Sequence, residues 1–171
     1  MARLAFALTF LIVGCASNPP PRFMHQQHRE AYQMTEADLE QLQFYVSTKV
    51  IAHDLDSPGP LGVVLVDAGT PGLAVASGPN WIRVSFTEEG SGVVFLAEPS
   101  KRGDSQYTLA TETPDGGYQL VRTTKDRILR IGNRRFAIVE GTNAYLTVDP
   151  NTLENVIGER RQVEGNRLPD E

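Results

Sequence analysis

Only one cysteine, Cys15, occurs in 171 residues, so no intramolecular disulfide can staple this fold. Histidine is almost as scarce, with His25, His28 and His53 making up the whole set, and Trp81 is the single tryptophan. Basic residues are in deficit. The 16 Lys+Arg against 21 Asp+Glu give a net charge of -5. That balance excludes a general electrostatic grip on nucleic acid and disfavours broad adsorption to anionic lipid. The apolar run from Leu4 to Val13 falls well short of the roughly 20 residues a membrane-spanning helix needs. What is present is an ordinary globular balance, 40% hydrophobic and 22% charged, which indicates one folded domain rather than disorder.

The lone thiol stands where the apolar run stops and a proline cluster begins, in LIVGCASNPPP. A single positive residue, Arg3, precedes the run, and the whole segment 1–14 has the layout of a secretory signal. Its end, Ile12-Val13-Gly14-Cys15, resembles the lipobox of bacterial lipoproteins. The resemblance implies diacylglycerol on the Cys15 thiol, cleavage before it and acylation of the new amino group, which makes the membrane a partner through the N-terminal lipid. Two or three acyl chains anchor a protein effectively permanently, at about 0.8 kcal/mol per buried CH₂. Ala16 stands where inner-membrane retention usually calls for Asp, so the resemblance implies the outer membrane of a diderm envelope, on its periplasmic side.

Residues 15–33 are polar and proline-interrupted, and they are expected to form a lipidated, extended tether. A domain over 34–158 follows. Thr35 is a candidate N-cap with Asp38 at the capping-box position, which predicts one short helix through Leu39 and Leu42. FYVSTKVIAHDL is rich in β-branched and aromatic residues and is expected to be the first strand. From Leu61 onward, short apolar runs and Gly/Pro/Asn/Asp turns alternate about every ten residues. No connection is long enough for a crossover helix, so the hairpins are antiparallel. The expected fold class is all-β, a small antiparallel barrel or sandwich of about 8–10 short strands with one short N-terminal helix. In WIRVSF the alternation sends Ile82, Val84 and Phe86 inward and Trp81, Arg83 and Ser85 outward. Gly132-Asn133 is a two-residue hairpin turn with glycine first, as type II′ requires. Residues 159–171 are expected to be a fraying polar tail.

The segment AGTPGLAVASGPNWIRVSF, within Val63 to Leu96, resembles the core of SH3-like small barrels, including bacterial cell-wall-targeting modules. LQFYVS ahead of it and the hairpins behind it resemble small bacterial envelope lipoproteins, a likeness that carries no activity with it.

Catalytic material is sparse. His25 and His28 are spaced i, i+3, but no carboxylate or cysteine at a matching spacing completes a metal set, so neither a metal nor another cofactor is expected. His53, Asp54 and Ser57 lie within five positions of one strand end and lack a glycine-framed nucleophile elbow. The acidic residues Asp67, Glu88, Glu89, Asp104, Asp115 and Asp126 fall in turns. Two surface features remain. The hairpin DRILRIGNRRF gathers Arg127, Arg130, Arg134 and Arg135 around one turn, a candidate anion or partner site. Trp81, Tyr107 and Tyr118 start strands and form a candidate aromatic face. The function these features point to is non-enzymatic, a membrane-anchored envelope lipoprotein whose monomeric β domain binds or supports a protein or peptidoglycan partner. The alternative, from a different class, is a carboxylate-dependent envelope hydrolase.

Overall fold

A computed structural model describes residues 19–57, 62–87, 90–99, 105–125 and 127–161. Cys15, the lipobox and the signal segment lie outside these residues, as do Glu88, Glu89, Asp104 and Asp126.

The described residues are mostly β, with twelve strands among them in two antiparallel sheets. In order they are β1 (Arg22–Phe23), β2 (Gln43–Val46), β3 (Val50–Asp54), β4 (Val63–Val66), β5 (Pro71–Gly78), β6 (Trp81–Ser85), β7 (Gly92–Ala97), β8 (Tyr107–Glu112), β9 (Tyr118–Leu120), β10 (Ile128–Ile131), β11 (Arg134–Glu140) and β12 (Leu146–Val148). The larger sheet runs β1-β12-β2-β5-β6-β7-β8-β9, and the smaller runs β10-β11-β3-β4. Neither closes into a barrel, which corrects the barrel form of the expectation and raises the strand number above 8–10. Each apolar run from LGVVLVD to AYLTVD carries a strand, because period-two alternation and turn chemistry are local signals.

One core cluster draws on both sheets, including Phe44 and Ile82 from the larger and Ala52, Leu129 and Phe136 from the smaller. The segment expected as one first strand is two, β2 and β3, which belong to different sheets. The chain changes sheet between them, over Ser47–Lys49, where the Ser47 hydroxyl accepts the Tyr145 N–H at 3.0 Å. The ladders shift register at Val75 and Val139, and both valines are exposed, the latter at 62%.

Among the described residues there are three α-helices rather than one. α2 (Glu36–Glu40) is the expected helix, and its capping box is complete: Thr35 accepts from the Asp38 N–H while Asp38 accepts from the Thr35 N–H. α3 (Pro150–Arg161) replaces the start of the expected tail. Its sequence signature is Asp149 as cap, accepting from Asn151 at 2.7 Å, with Pro150 in the first turn and Leu153 and Val156 buried one turn apart. α1 (Gln26–Ala31) and β1 correct the later part of the tether expected over 15–33, whose first residues 15–18 lie outside the described ones. Residues 22–31 are strand and helix, and Met24 is 0% exposed in the core. An isolated Met in a polar, proline-rich stretch has no periodicity to betray that burial. Among the described residues no helix is long and apolar enough to cross a membrane.

Candidate functional site

The outward residues of β6, β8 and β9 meet on one face of the larger sheet. Trp81 opposes Leu96 across the β6–β7 ladder and Tyr118 opposes Glu112 across β8–β9, so the pleat sends all of these side chains to the same side. There Trp81 and Tyr118 cover a second apolar cluster of Val94, Leu96, Ala110 and Leu120. That cover explains why β7 is buried on both faces and reads as an unbroken apolar run. The two rings lie 4.8 Å apart, tilted by 50°, and both are half-buried.

Arg83 borders the rings. Its guanidinium stands 6.0 Å from the Trp81 ring centre, donates to Glu112 at 2.7 Å and donates to the Tyr118 hydroxyl at 3.2 Å. Two glycines admit this arrangement. A methyl group on Gly78 would collide with the indole Nε1 and Cε2 of Trp81, and one on Gly92 would lie 2.5 Å from Arg83 Cγ. Beside the rings a cleft of about 230 Å³ is lined by Arg83, Glu112, Ser91 and Arg130. The whole arrangement is a half-exposed aromatic platform with a charge-paired rim.

Tyr107 does not belong to this face. It is fully buried, its hydroxyl donates to the Gln26 side chain, and burial raises its pKa. It points to the opposite side of β8 from Glu112, in the main core, because an odd separation along a strand reverses the side chain. The aromatic set is therefore corrected to Trp81 and Tyr118. Arg83 and Glu112 were missed because nothing in the sequence pairs positions 29 residues apart; only the alternation in WIRVSF places Arg83 beside Trp81.

The arginine hairpin forms as expected, with Ile131 paired to Arg134 and Gly132 at φ +58°. Its four guanidinium groups do not converge. Arg130 and Arg135 face each other on one side of the smaller sheet, while Arg134 projects to the other. Arg134 lies 5.2 Å over the Phe136 ring and donates to the buried Asp54 carboxylate, and Arg135 binds Asp56 at 2.7 Å. Arg127 sits ahead of the hairpin at φ +47°. Among the described residues, only Arg127 and Arg130 of the four lack a carboxylate partner. Two of the four arginines thus pair with aspartates, one buried (Asp54) and one exposed (Asp56).

His53 is exposed while Asp54 faces the core on the opposite side of β3, so the letters His53, Asp54 and Ser57 assemble no triad. Ser57 instead donates its backbone N–H to Asp54 at 3.2 Å. Burial pushes the Asp54 carboxyl up, but the N–H of Asp56, the Arg134 guanidinium and the N–H of Ser57 outweigh it and hold the pKa below the usual range. The Arg135 side chain and N–H lower Asp56 as well. Both carboxylates are therefore ionised at neutral pH, unlike an acid/base pair driven apart. Asp67 lies 3.9 Å from Lys49 in a surface pair, and hydrogen bonding with Thr113 lowers Asp115.

A folded-state pKa below the unfolded value of about 3.9 contributes stability that is present above that value and lost as pH falls through the folded one. Acid unfolding is therefore expected to be driven in part by Asp54 and Asp56. In Arg134→Gln the midpoint should move to higher pH by a sizeable fraction of a unit, read by far-UV circular dichroism. An unchanged midpoint would show that Arg134 does not hold Asp54.

The His25 and His28 rings lie 5.4 Å apart, edge to face, with both Nδ1 atoms buried and without a hydrogen-bond partner. Burial, His25 and Arg22 lower the His28 pKa, so this ring is neutral at neutral pH. Among the described residues no group of three or more His, Cys, Asp or Glu side chains is placed to hold a metal ion.

No family model matches this chain, and no curated protein or solved structure matches it either.

Proposed function

We propose that this chain is an envelope lipoprotein, lipidated at Cys15 and carried on the periplasmic side of an outer membrane, whose β domain is a non-enzymatic module that binds the glycan of peptidoglycan. The observation that carries the binding half is the Trp81–Tyr118 platform with Arg83 and Glu112 at its rim. Aromatic faces stack on the C–H faces of sugar rings, and a charged pair at the edge bonds hydroxyl and amide groups. Glu112 neutralises Arg83, so the platform favours an uncharged glycan over a polyanion. A cell-wall target is also what the SH3-like resemblance of Val63 to Leu96 implies, although the open sheets remove its barrel element. The anchor half rests on the lipobox resemblance. The ionised, arginine-held Asp54 and Asp56 supply no tuned pair for the hydrolase alternative.

Two measurements test the two halves. Labelled palmitate is expected on the parent chain and absent from Cys15→Ala; label on the variant would remove the anchor reading. Retention on isolated peptidoglycan is expected to fall roughly tenfold in Trp81→Ala, the order of one stacking contact near 1.4 kcal/mol. Gly78→Ala is expected to do the same while altering no platform side chain, because its methyl displaces the indole. Trp81 is the sole tryptophan, so intrinsic fluorescence reports that displacement directly. Unchanged retention in both variants would exclude this face as the binding surface.

A further inference from the structure

The described residues begin at Pro19, four positions after Cys15, and the first strand follows at Arg22, where a spacer of nearly twenty residues was expected. Four fully extended residues span at most about 14 Å. A headgroup layer is itself about 5 to 8 Å thick, taken as half the difference between the whole bilayer and its hydrocarbon core. A domain anchored through Cys15 therefore has almost no clearance from the bilayer.

The surface at this end has the composition of a membrane interface. Phe23 is 47% exposed although it belongs to a paired strand, and its ring lies 5.3 Å from Tyr145 and 6.0 Å from His25. Arg22 beside it is exposed and only loosely engaged by Glu154 at 4.0 Å. Pro19, Pro20 and Pro21 line a shallow, largely apolar cleft of about 460 Å³ together with Phe23 and the two histidines. Aromatic rings with an adjacent cation are the side chains that settle at headgroup level.

We infer that the end of the domain bearing Pro19–Pro21, Arg22 and Phe23 rests on the phospholipid headgroups of the membrane in which Cys15 is anchored, an inference that depends on the lipoprotein reading above. The contact is confined rather than autonomous. One phenylalanine and one arginine are too little to draw a chain of net charge -5 from solution, whereas a four-residue leash holds them at high effective concentration. The domain is thereby held with a fixed end toward the bilayer instead of swinging on a flexible spacer.

The test uses the full lipidated chain in phospholipid vesicles, with the only tryptophan moved by combining Trp81→Phe with Phe23→Trp. Phe23 is exposed, so the larger ring is accommodated, and circular dichroism verifies the fold. Phospholipids brominated near the glycerol are expected to quench this tryptophan severalfold more strongly than in a chain carrying a long Gly/Ser insertion between Ser17 and Asn18. Palmitate-labelled chain without quenching at position 23 would overturn the inference and leave the anchor intact. Failure of the parent chain to take up label would instead remove the anchor and the inference together.

Discussion

A chain shortened to start at Met34 should lose most or all of its cooperative stability. The reason is the segment from Arg22 to Ala31. Phe23 pairs with Thr147, the Met24 N–H donates to the Leu146 carbonyl at 3.2 Å, and the Gln26 N–H donates to Ser105 at 2.9 Å. The Arg29 guanidinium donates to the Gly78 carbonyl next to the platform. Met24 itself is wholly buried, and truncating such a side chain costs about 2 to 5 kcal/mol. Removing Gln26 strips the buried Tyr107 hydroxyl of its acceptor, which costs about 1 to 3 kcal/mol more. These losses compare with a total stability of about 5 to 15 kcal/mol for a domain of this kind. Denaturant unfolding of the shortened chain, of Met24→Ala and of Met24→Leu decides the matter. Met24→Ala should fall by the amount given and Met24→Leu by less than about 1.5 kcal/mol. A shortened chain with the parent's midpoint would mean that residues before Met34 are not part of the folded unit.

The second large effect is expected at Gly141, where the chain leaves β11 in the smaller sheet for β12 in the larger. Gly141 has φ +89°, a region that disfavours any side chain, and its carbonyl accepts the Ala144 N–H at 2.9 Å in the connecting turn. A methyl group there would collide with the Lys49 carbonyl and lie 2.9 Å from the Val50 Cα. Both are backbone atoms of the neighbouring sheet change, so neither can rotate away. Strain and overpacking together predict a loss of about 2 to 5 kcal/mol in Gly141→Ala. Gly116→Ala is the control. Gly116 has φ +82° with open space around it, so only the conformational cost of about 1 to 2 kcal/mol applies. Equal losses in the two variants, measured by urea unfolding, would show that close approach at Gly141 contributes nothing.

Features that depend on neighbouring residues are legible along the chain. Thr35 with Asp38 announced α2, Gly132-Asn133 announced the β10–β11 turn, and alternation in WIRVSF sorted Ile82 and Val84 from Trp81 and Arg83, since caps, positive φ and the pleat act over two to four residues. Packing between distant segments governs the rest. It divided FYVSTKVIAHDL between two sheets and drew Met24 into a core assembled more than a hundred residues later, against the carbonyl of Leu146. It also turned Tyr107 inward, gave Arg134 to Asp54 across 80 residues and brought Trp81 against Tyr118. Apolar burial has no direction along the chain, and an ion pair forms wherever sheet order places the charges, so the aromatic face was legible at Trp81 and Tyr118 while its charged rim was not.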